Sequence, residues 1–145
     1  MIANPQGGWF RSVHLTGAPD GGRAVSSVIN YLVDASAPIS WFHRMSADAM
    51  HYFHQGDPLA VITITPDGTL GRSVLGADLD GGQQFQVEVP GGHWKAFELL
   101  GSSWSLISEA VAPGWVPEDQ EDATTALFET DHPTLRAEIE RYVRP

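Results

Sequence analysis

The stretch whose reading decides the fold is SWFHRMSADAMHYFHQGDPL, Ser40–Leu59. It places His43, His51 and His54, three of the chain's six histidines, between two segments of strand-like composition. Further along, VPGGHW at Val89–Trp94 brings His93 behind a Pro-Gly-Gly reversal. Imidazole is the side chain best suited to bind a metal or carry a proton near neutral pH. Histidines gathered on neighbouring strands, rather than scattered over loops, are what a small barrel with a chemical interior requires.

Around that stretch, glycine (15) and proline (10) divide the chain into short segments rich in Val, Ile, Leu, Thr and aromatic residues, the pattern of an all-β sandwich or barrel. The spacing predicts strands over Trp9–Leu15, Val25–Leu32, Ser40–Met45, Met50–His54, Leu59–Ile64, Leu70–Leu75, Gln84–Val89, Trp94–Leu99 and Ser105–Val111. Pro66-Asp67-Gly68 supplies a hairpin turn, and Asp80-Gly81-Gly82 and Pro90-Gly91-Gly92 mark two more reversals. Pro117–Asp122 reads as an acidic loop. Thr130-Asp131-His132-Pro133 then reads as a helix start. Leu135, Ile139 and Tyr142/Val143 recur at helical steps, which predicts one short C-terminal amphipathic helix over about 133–143, packed on the barrel.

At 145 residues the chain is expected to form a single domain, 1–145, able to bury a core without staples. The absence of cysteine excludes disulfides, thiolate nucleophiles and Cys-based zinc sites. Eighteen acidic against eight basic residues, net −10, argue against nucleic acid and anionic membrane surfaces as partners. Apolar runs are too short to span a bilayer and no charged-then-apolar leader opens the chain, so a cytoplasmic location is expected.

Five stretches in order carry a resemblance: NPQGGWFR (Asn4–Arg11), SSVINYLV (Ser26–Val33), the Ser40–Leu59 run, VLGADLDGGQQFQVEVPGGHW (Val74–Trp94) and SEAVAPGW (Ser108–Trp115). Together they resemble the cupin superfamily, in particular the small cupins of cupin family five, often compared with RmlC-like sugar-nucleotide epimerases. The resemblance implies a double-stranded β-helix, or jelly-roll barrel. It also implies that His43 and His93 occupy ligand positions of the two cupin motifs. Ala49 stands where metal-binding relatives carry glutamate, Gln6 where an acidic residue is usual, and His14 where tyrosine is usual. The interior is therefore expected to have exchanged carboxylates for neutral or imidazole groups.

Strand periodicity adds His51, because positions 49, 51 and 53 share a face while Met50, Tyr52 and His54 point the other way. The catalytic candidates are His43, His93 and His51. Arg11, Trp9, Tyr31, Phe53 and Trp94 are the candidate substrate contacts, with Arg11 offering a planar fork to an anionic group. The leading expectation is acid/base chemistry on a small molecule, of the isomerase, epimerase, dehydratase or cyclase type, without a cofactor or redox metal. Two alternatives stand beside it: a divalent ion such as zinc held by His43, His51 and His93, and a sugar-like ligand bound without turnover. The Trp9–Leu15 edge is expected to pair with a partner's sheet in a homodimer.

Overall fold

The computed structural model describes residues 1–18 and 20–144. Its strands run in chain order β1 (Ile2–Ala3), β2 (Trp9–Thr16), β3 (Ser26–Asp34), β4 (Ile39–Met45), β5 (Asp48–Gly56) and β6 (Leu59–Ile64). They continue with β7 (Leu70–Leu75), β8 (Gln86–Val89), β9 (Trp94–Leu99), β10 (Trp104–Ala112) and β11 (Gln120–Asp122). Every strand read from the sequence is present, and no end moves by more than two residues. The strands build two antiparallel sheets, β1-β2-β3-β10-β5-β8 and β11-β4-β9-β6-β7, the all-β jelly-roll barrel expected.

Two tight corners position the site. Ser46-Ala47 carries the chain from β4 in the smaller sheet to β5 in the larger, and Pro90–His93 carries it back from β8 to β9. The corners touch: Gly92 N–H donates to Met45 O at 2.7 Å. A side chain at Gly91 would run into the Ser46 carbonyl, so only glycine allows this approach.

Alternation along the strands gives the smaller sheet two buried faces. Toward the larger sheet lie Leu59, Val61, Leu75, Phe97 and Leu99, packed against Tyr31, Val33 and Ile107. Toward the other side lie Phe42, Ile62, Ile64, Trp94 and Ala96, covered by Phe128, Ile139, Tyr142 and Val143.

That cover is where the structure departs from the sequence reading. Pro117–Asp122 is not a loop but a 3-10 turn, Pro117–Asp119, followed by β11, which pairs with β4 through Asp122 and His43. The helical segment begins earlier than expected, with α1 (Thr125–Asp131), N-capped by the Thr124 hydroxyl accepting from Leu127 N–H at 3.2 Å. Thr130–Pro133 therefore closes a helix instead of opening one. Pro133 lacks the N–H that would continue α1, and His132 before it takes φ −137°, ψ 55°. Beyond it a 3-10 turn, the short α2 (Arg136–Ile139) and a last 3-10 turn replace the single helix over 133–143. The stripe still packs as read, with Ile139, Tyr142 and Val143 buried.

Candidate functional site

Two cross-strand pairs face each other between the sheets. His51 on β5 stands opposite Glu109 on β10, and His43 on β4 stands opposite Lys95 on β9. Lys95 Nζ donates to Glu109 Oε1 at 2.8 Å and lies 3.2 Å from His51 Nε2. His51 Nε2 is 3.1 Å from Glu109 Oε2, which closes a three-membered ring of polar contacts. His51 and Lys95 are 0% and 1% exposed. Burying a charge at such depth is expensive unless it is paired, and here an ammonium meets a carboxylate directly.

Backbone acceptors decide which ring nitrogens carry hydrogen. His51 Nδ1 lies 3.2 Å from Val87 O, and a carbonyl can only accept, so Nδ1 holds the proton of the neutral ring and Nε2 accepts from Lys95, making no hydrogen bond to the Glu109 carboxylate beside it. By the same argument His43 Nδ1 donates to Trp41 O at 2.9 Å, which leaves Nε2 as a free basic nitrogen. Burial, then the Lys95 charge, lowers the His43 pKa to about 4, and the same two causes lower that of His51. Burial also lowers the Lys95 pKa, against the pull of Glu109. For Glu109 burial acts upward, but the Lys95 and His51 contacts outweigh it and hold the carboxyl well below its ordinary range. At neutral pH the site is an ammonium–carboxylate pair flanked by two neutral imidazoles.

The expectation of an interior without carboxylate is thereby corrected. The acid comes not from position 49 but from Glu109, on the neighbouring strand. Lys95 and Glu109 are the members of this buried polar cluster that motif reading missed. Their signal is nonetheless in the sequence, Lys95 lying between the apolar residues Trp94 and Ala96 of WKAFEL and Glu109 being the one charged residue of SLISEAV.

The other candidates divide. Phe53 packs against the interior cluster, and its neighbour in register is Ile107, one step below the polar pair. Tyr31 is also interior, but its hydroxyl is committed to Gly7 O at 2.6 Å, and burial raises its pKa. Trp9 and Arg11 flank Phe10, which packs inward beside Tyr31, so alternation turns both to the outer face of the larger sheet, with Arg11 exposed. Trp94 lies on the outer face of the smaller sheet beneath the helices, with the Arg44 guanidinium 4.5 Å above its ring. These three are corrected from substrate contacts to positions outside the barrel interior. His93 sits at the corner before β9, Nδ1 3.4 Å from Gly91 O, and no hydrogen bond joins it to the polar ring among the described residues. His54 bonds Ser108 on the outer face at 2.8 Å, and His14 is exposed beside Thr16. Gln6 bonds the Asp122 carboxylate at 3.0 Å.

The three-imidazole metal centre does not fit this arrangement. The Lys95 ammonium stands where a cation bound to His51 Nε2 would have to lie. Among the described residues, no three His, Cys, Asp or Glu side chains are grouped to hold an ion. Two surface cavities, one of about 610 Å³ beside Trp104 and one of about 200 Å³ between the C-terminal helices, lie away from the polar ring. No helix among the described residues is long and apolar enough to cross a membrane.

Comparison with known proteins gives the family. The family model Cupin_5, described as Cupin superfamily (DUF985), matches residues 1–123, and the chain belongs to that family. The uncharacterized protein YML079W of Saccharomyces cerevisiae is 36% identical over 101 residues, covering 67% of this chain and 50% of that protein. The chain thus spans about half the length of the curated relative it matches. The crystal structure of protein SO0799 from Shewanella oneidensis superposes with a TM-score of 0.93 at 32% identity, covering 99% of this chain and 91% of that one. A dTDP sugar isomerase from Desulfovibrio desulfuricans G20 superposes with a TM-score of 0.59 at 15% identity over 88% of this chain and 85% of its own, a likeness of fold alone.

Proposed function

We propose that this member of the cupin superfamily is a small-molecule enzyme that moves a proton beside a carbonyl group, a reaction of the isomerase or epimerase type. The observation that carries the reading is the Lys95–Glu109–His51 ring with the free Nε2 of His43 across the ladder. His43 Nε2 takes the proton from the carbon next to the carbonyl, and the C–H electron pair moves to the carbonyl oxygen. The Lys95 ammonium stabilises the oxyanion that develops. Glu109 and His51 act as positioning residues, holding Lys95 at that point, while the Val87 carbonyl holds His51 in one tautomer. Passage of the neighbouring hydroxyl's proton to the oxyanion, and return of the proton from His43 to the former carbonyl carbon, complete the isomerisation and leave the new carbonyl where the hydroxyl stood.

The test is solvent exchange. In D2O the protein should place deuterium at the carbon beside the carbonyl of a reactive member of a panel of hydroxyketones and keto sugars. Keto sugars enter the panel because a dTDP sugar isomerase shares the fold. His43→Ala should abolish exchange while the folded barrel persists. Exchange that survives His43→Ala and Lys95→Met would overturn the reading.

The depth of His51 and Lys95 favours one second reading, a pocket that binds a small molecule without turnover. Saturable binding with no exchange in any panel member would select it. The homodimer also stands as a proposal. β1 pairs with β2 only at Trp9 and Phe10, which leaves the edge from Arg11 to Thr16 unpaired by it, and open strand edges favour cover by another chain. A monomer mass by light scattering at micromolar concentration would count against it.

A further inference from the structure

We propose that the gap between the β2 and β11 edges of the barrel is a recognition slot for an uncharged, ring-shaped polyol, with Trp115 stacking on the ring face and the Gln6–Asp122–Gln120 chain taking its hydroxyls. This inference rests on the proton-transfer reading for the reaction. It adds a substrate class, sugars that carry no phosphate, and a binding site that leads to His43.

Register shows on which side the polar ring meets solvent. At its level the inward residues run His51, Glu109, Ile29, Ser12 across the larger sheet and Lys95, His43, Asp122 across the smaller. Exposure rises along both rows in the same direction. His51 and Lys95 are closed, Glu109 and His43 keep 9% and 8% of their surface, Ile29 is half-buried, and Ser12 and Asp122 are exposed. The other pair of edges gives the contrast, because Val87 and Val89 on β8 and Leu75 on β7 belong to the interior cluster and are all buried. The two sheets therefore part at the β2 and β11 edges and close at the β8 and β7 edges.

Trp115 and Gln6 border this gap. Trp115 bridges the sheets: its backbone N–H donates to Ser27 Oγ on β3 at 2.9 Å, and its indole Nε1 donates to Gln120 Oε1 on β11 at 3.1 Å. Those bonds fix the ring while 44% of the residue stays exposed. An indole N–H can only donate, so Gln120 turns its NH2 to Asp122 Oδ1 at 3.0 Å. Gln6 Nε2 donates to both oxygens of the same carboxylate, at 3.0 and 3.2 Å.

The polarity of this chain selects the ligand. Both amide NH2 groups face Asp122, so the groups left for a ligand are acceptors: Gln6 Oε1 and the remaining carboxylate lone pairs. Acceptors call for hydroxyl donors, and an anchored aromatic face beside them calls for the C–H face of a ring. The guanidinium groups of the adjoining segments are already paired and offer nothing to a phosphate. Arg23 donates to Gly114 O at 2.7 Å and to Pro113 O at 3.2 Å and pairs with Asp119. Arg44 lies over Trp94 on the opposite face of β4, paired with Glu121 at 2.7 Å. Asp122 gives the slot a negative charge, which repels an anionic ligand.

The experiment titrates the protein with D-fructose and D-fructose 1-phosphate, following the side-chain NH2 signals of Gln6 and Gln120 by NMR, with deuterium incorporation from D2O measured in parallel. D-fructose should shift both signals, and its phosphate should bind about fivefold more weakly at low salt. Asp122→Asn should reduce that discrimination to about twofold or below. Trp115→Ala should weaken D-fructose about tenfold by removing the apolar face, while Trp115→Phe should stay within about threefold of the parent. Asp122→Asn, which keeps the size of its side chain, carries the test where the alanine variant does not fold. D-fructose that shifts neither signal, a folded Trp115→Ala with the parent's affinity, or a phosphate bound as tightly as the free sugar would overturn the slot. Exchange that still depends on His43 would in that case leave the proton-transfer reading standing. The expected binding pattern with no exchange in either sugar or in the carbonyl panel would overturn the proton-transfer reading instead, and leave the slot as a site of binding without turnover.

Discussion

Along β9, adjacent residues meet opposite surroundings. Trp94 and Ala96 point to an apolar layer sealed by Phe128, Ile139 and Tyr142, where aromatic rings meet at centroid distances of 5.1 to 5.7 Å. Lys95 and Phe97 point the other way, Lys95 into the polar ring and Phe97 against the His51 imidazole at 5.1 Å. The outer layer is held by many small contacts, each replaceable by another apolar group of similar size. The inner ring depends on every member being present, because removing one orphans a buried charge. The same strand thus carries an apolar packing face on one side and a buried polar ring on the other.

The most severe way to break that contrast is to remove one half of the ion pair. Glu109→Leu should destabilise the protein by about 3–5 kcal/mol, because Lys95 is left charged and buried without a partner. The double variant Lys95→Met/Glu109→Leu should recover stability to within about 1 kcal/mol of the parent or exceed it. It should nonetheless lose all solvent exchange activity. Urea denaturation of the parent and both variants measures this. A double variant as unstable as the single one would mean that the ring contributes to stability on its own account.

On the outer layer the matching test is Phe128→Ala, with an expected loss of about 3 kcal/mol from transfer and cavity terms. Phe128 contacts Phe42, Trp94 and His132 but none of the ring. Exchange activity measured below the new melting transition should therefore remain. Activity lost in step with the packing would show that the two faces of β9 are coupled.

These two layers also mark what the sequence made legible. Strand positions were readable because the apolar periodicity is strict and Gly-Pro turns punctuate it. Motif and period singled out His43 and His51, and the structure places them opposite Lys95 and Glu109. Trp94 was misplaced because it directly follows His93, although a single step along a strand reverses the face. Lys95 and Glu109 escaped because each looks like an ordinary charged residue until the pairings of β4 with β9 and of β5 with β10 bring them together. That pairing is a long-range property that no local pattern carries. The helical cover was misread for a local reason: a proline that ends one helix resembles a proline that begins the next.

Acidification should act on the inner face first. The folded His43 has its pKa lowered from 6.5 to about 4, so between those values the unfolded chain binds a proton that the folded chain does not. Stability therefore rises with pH across that window and falls on acidification, with about 2 kcal/mol lost from this group between pH 7.5 and pH 5. His51, lowered in the same direction, adds to the loss. Glu109, with a depressed carboxyl, contributes stability above its unfolded pKa and loses it only at still lower pH. His43→Gln should make the profile shallower between pH 7.5 and 5, with His51 supplying slope that remains. A variant with the parent's full pH dependence would place the titrating group elsewhere.

The gentlest test removes a single hydroxyl from the outer layer. Tyr142 Oη donates to Glu98 Oε2 at 2.6 Å, while Arg141 pairs with the other carboxylate oxygen. Burial, then the Glu98 contact, pushes the phenol pKa up to about 12, so the hydroxyl keeps its proton throughout the physiological range. Tyr142→Phe deletes one hydrogen bond but keeps the ring that meets Phe42 at 5.7 Å, nearly edge-on at 77°. Glu98 retains Arg141, so no charge is orphaned. The loss should therefore be about 1 kcal/mol, the net worth of one hydrogen bond, and not the several expected at Glu109. Equilibrium denaturation of Tyr142→Phe beside Glu109→Leu gives the comparison directly. A phenylalanine variant that loses as much as the Glu109 variant would show that the outer face also depends on a buried polar contact, and the division between the two faces of β9 would fail.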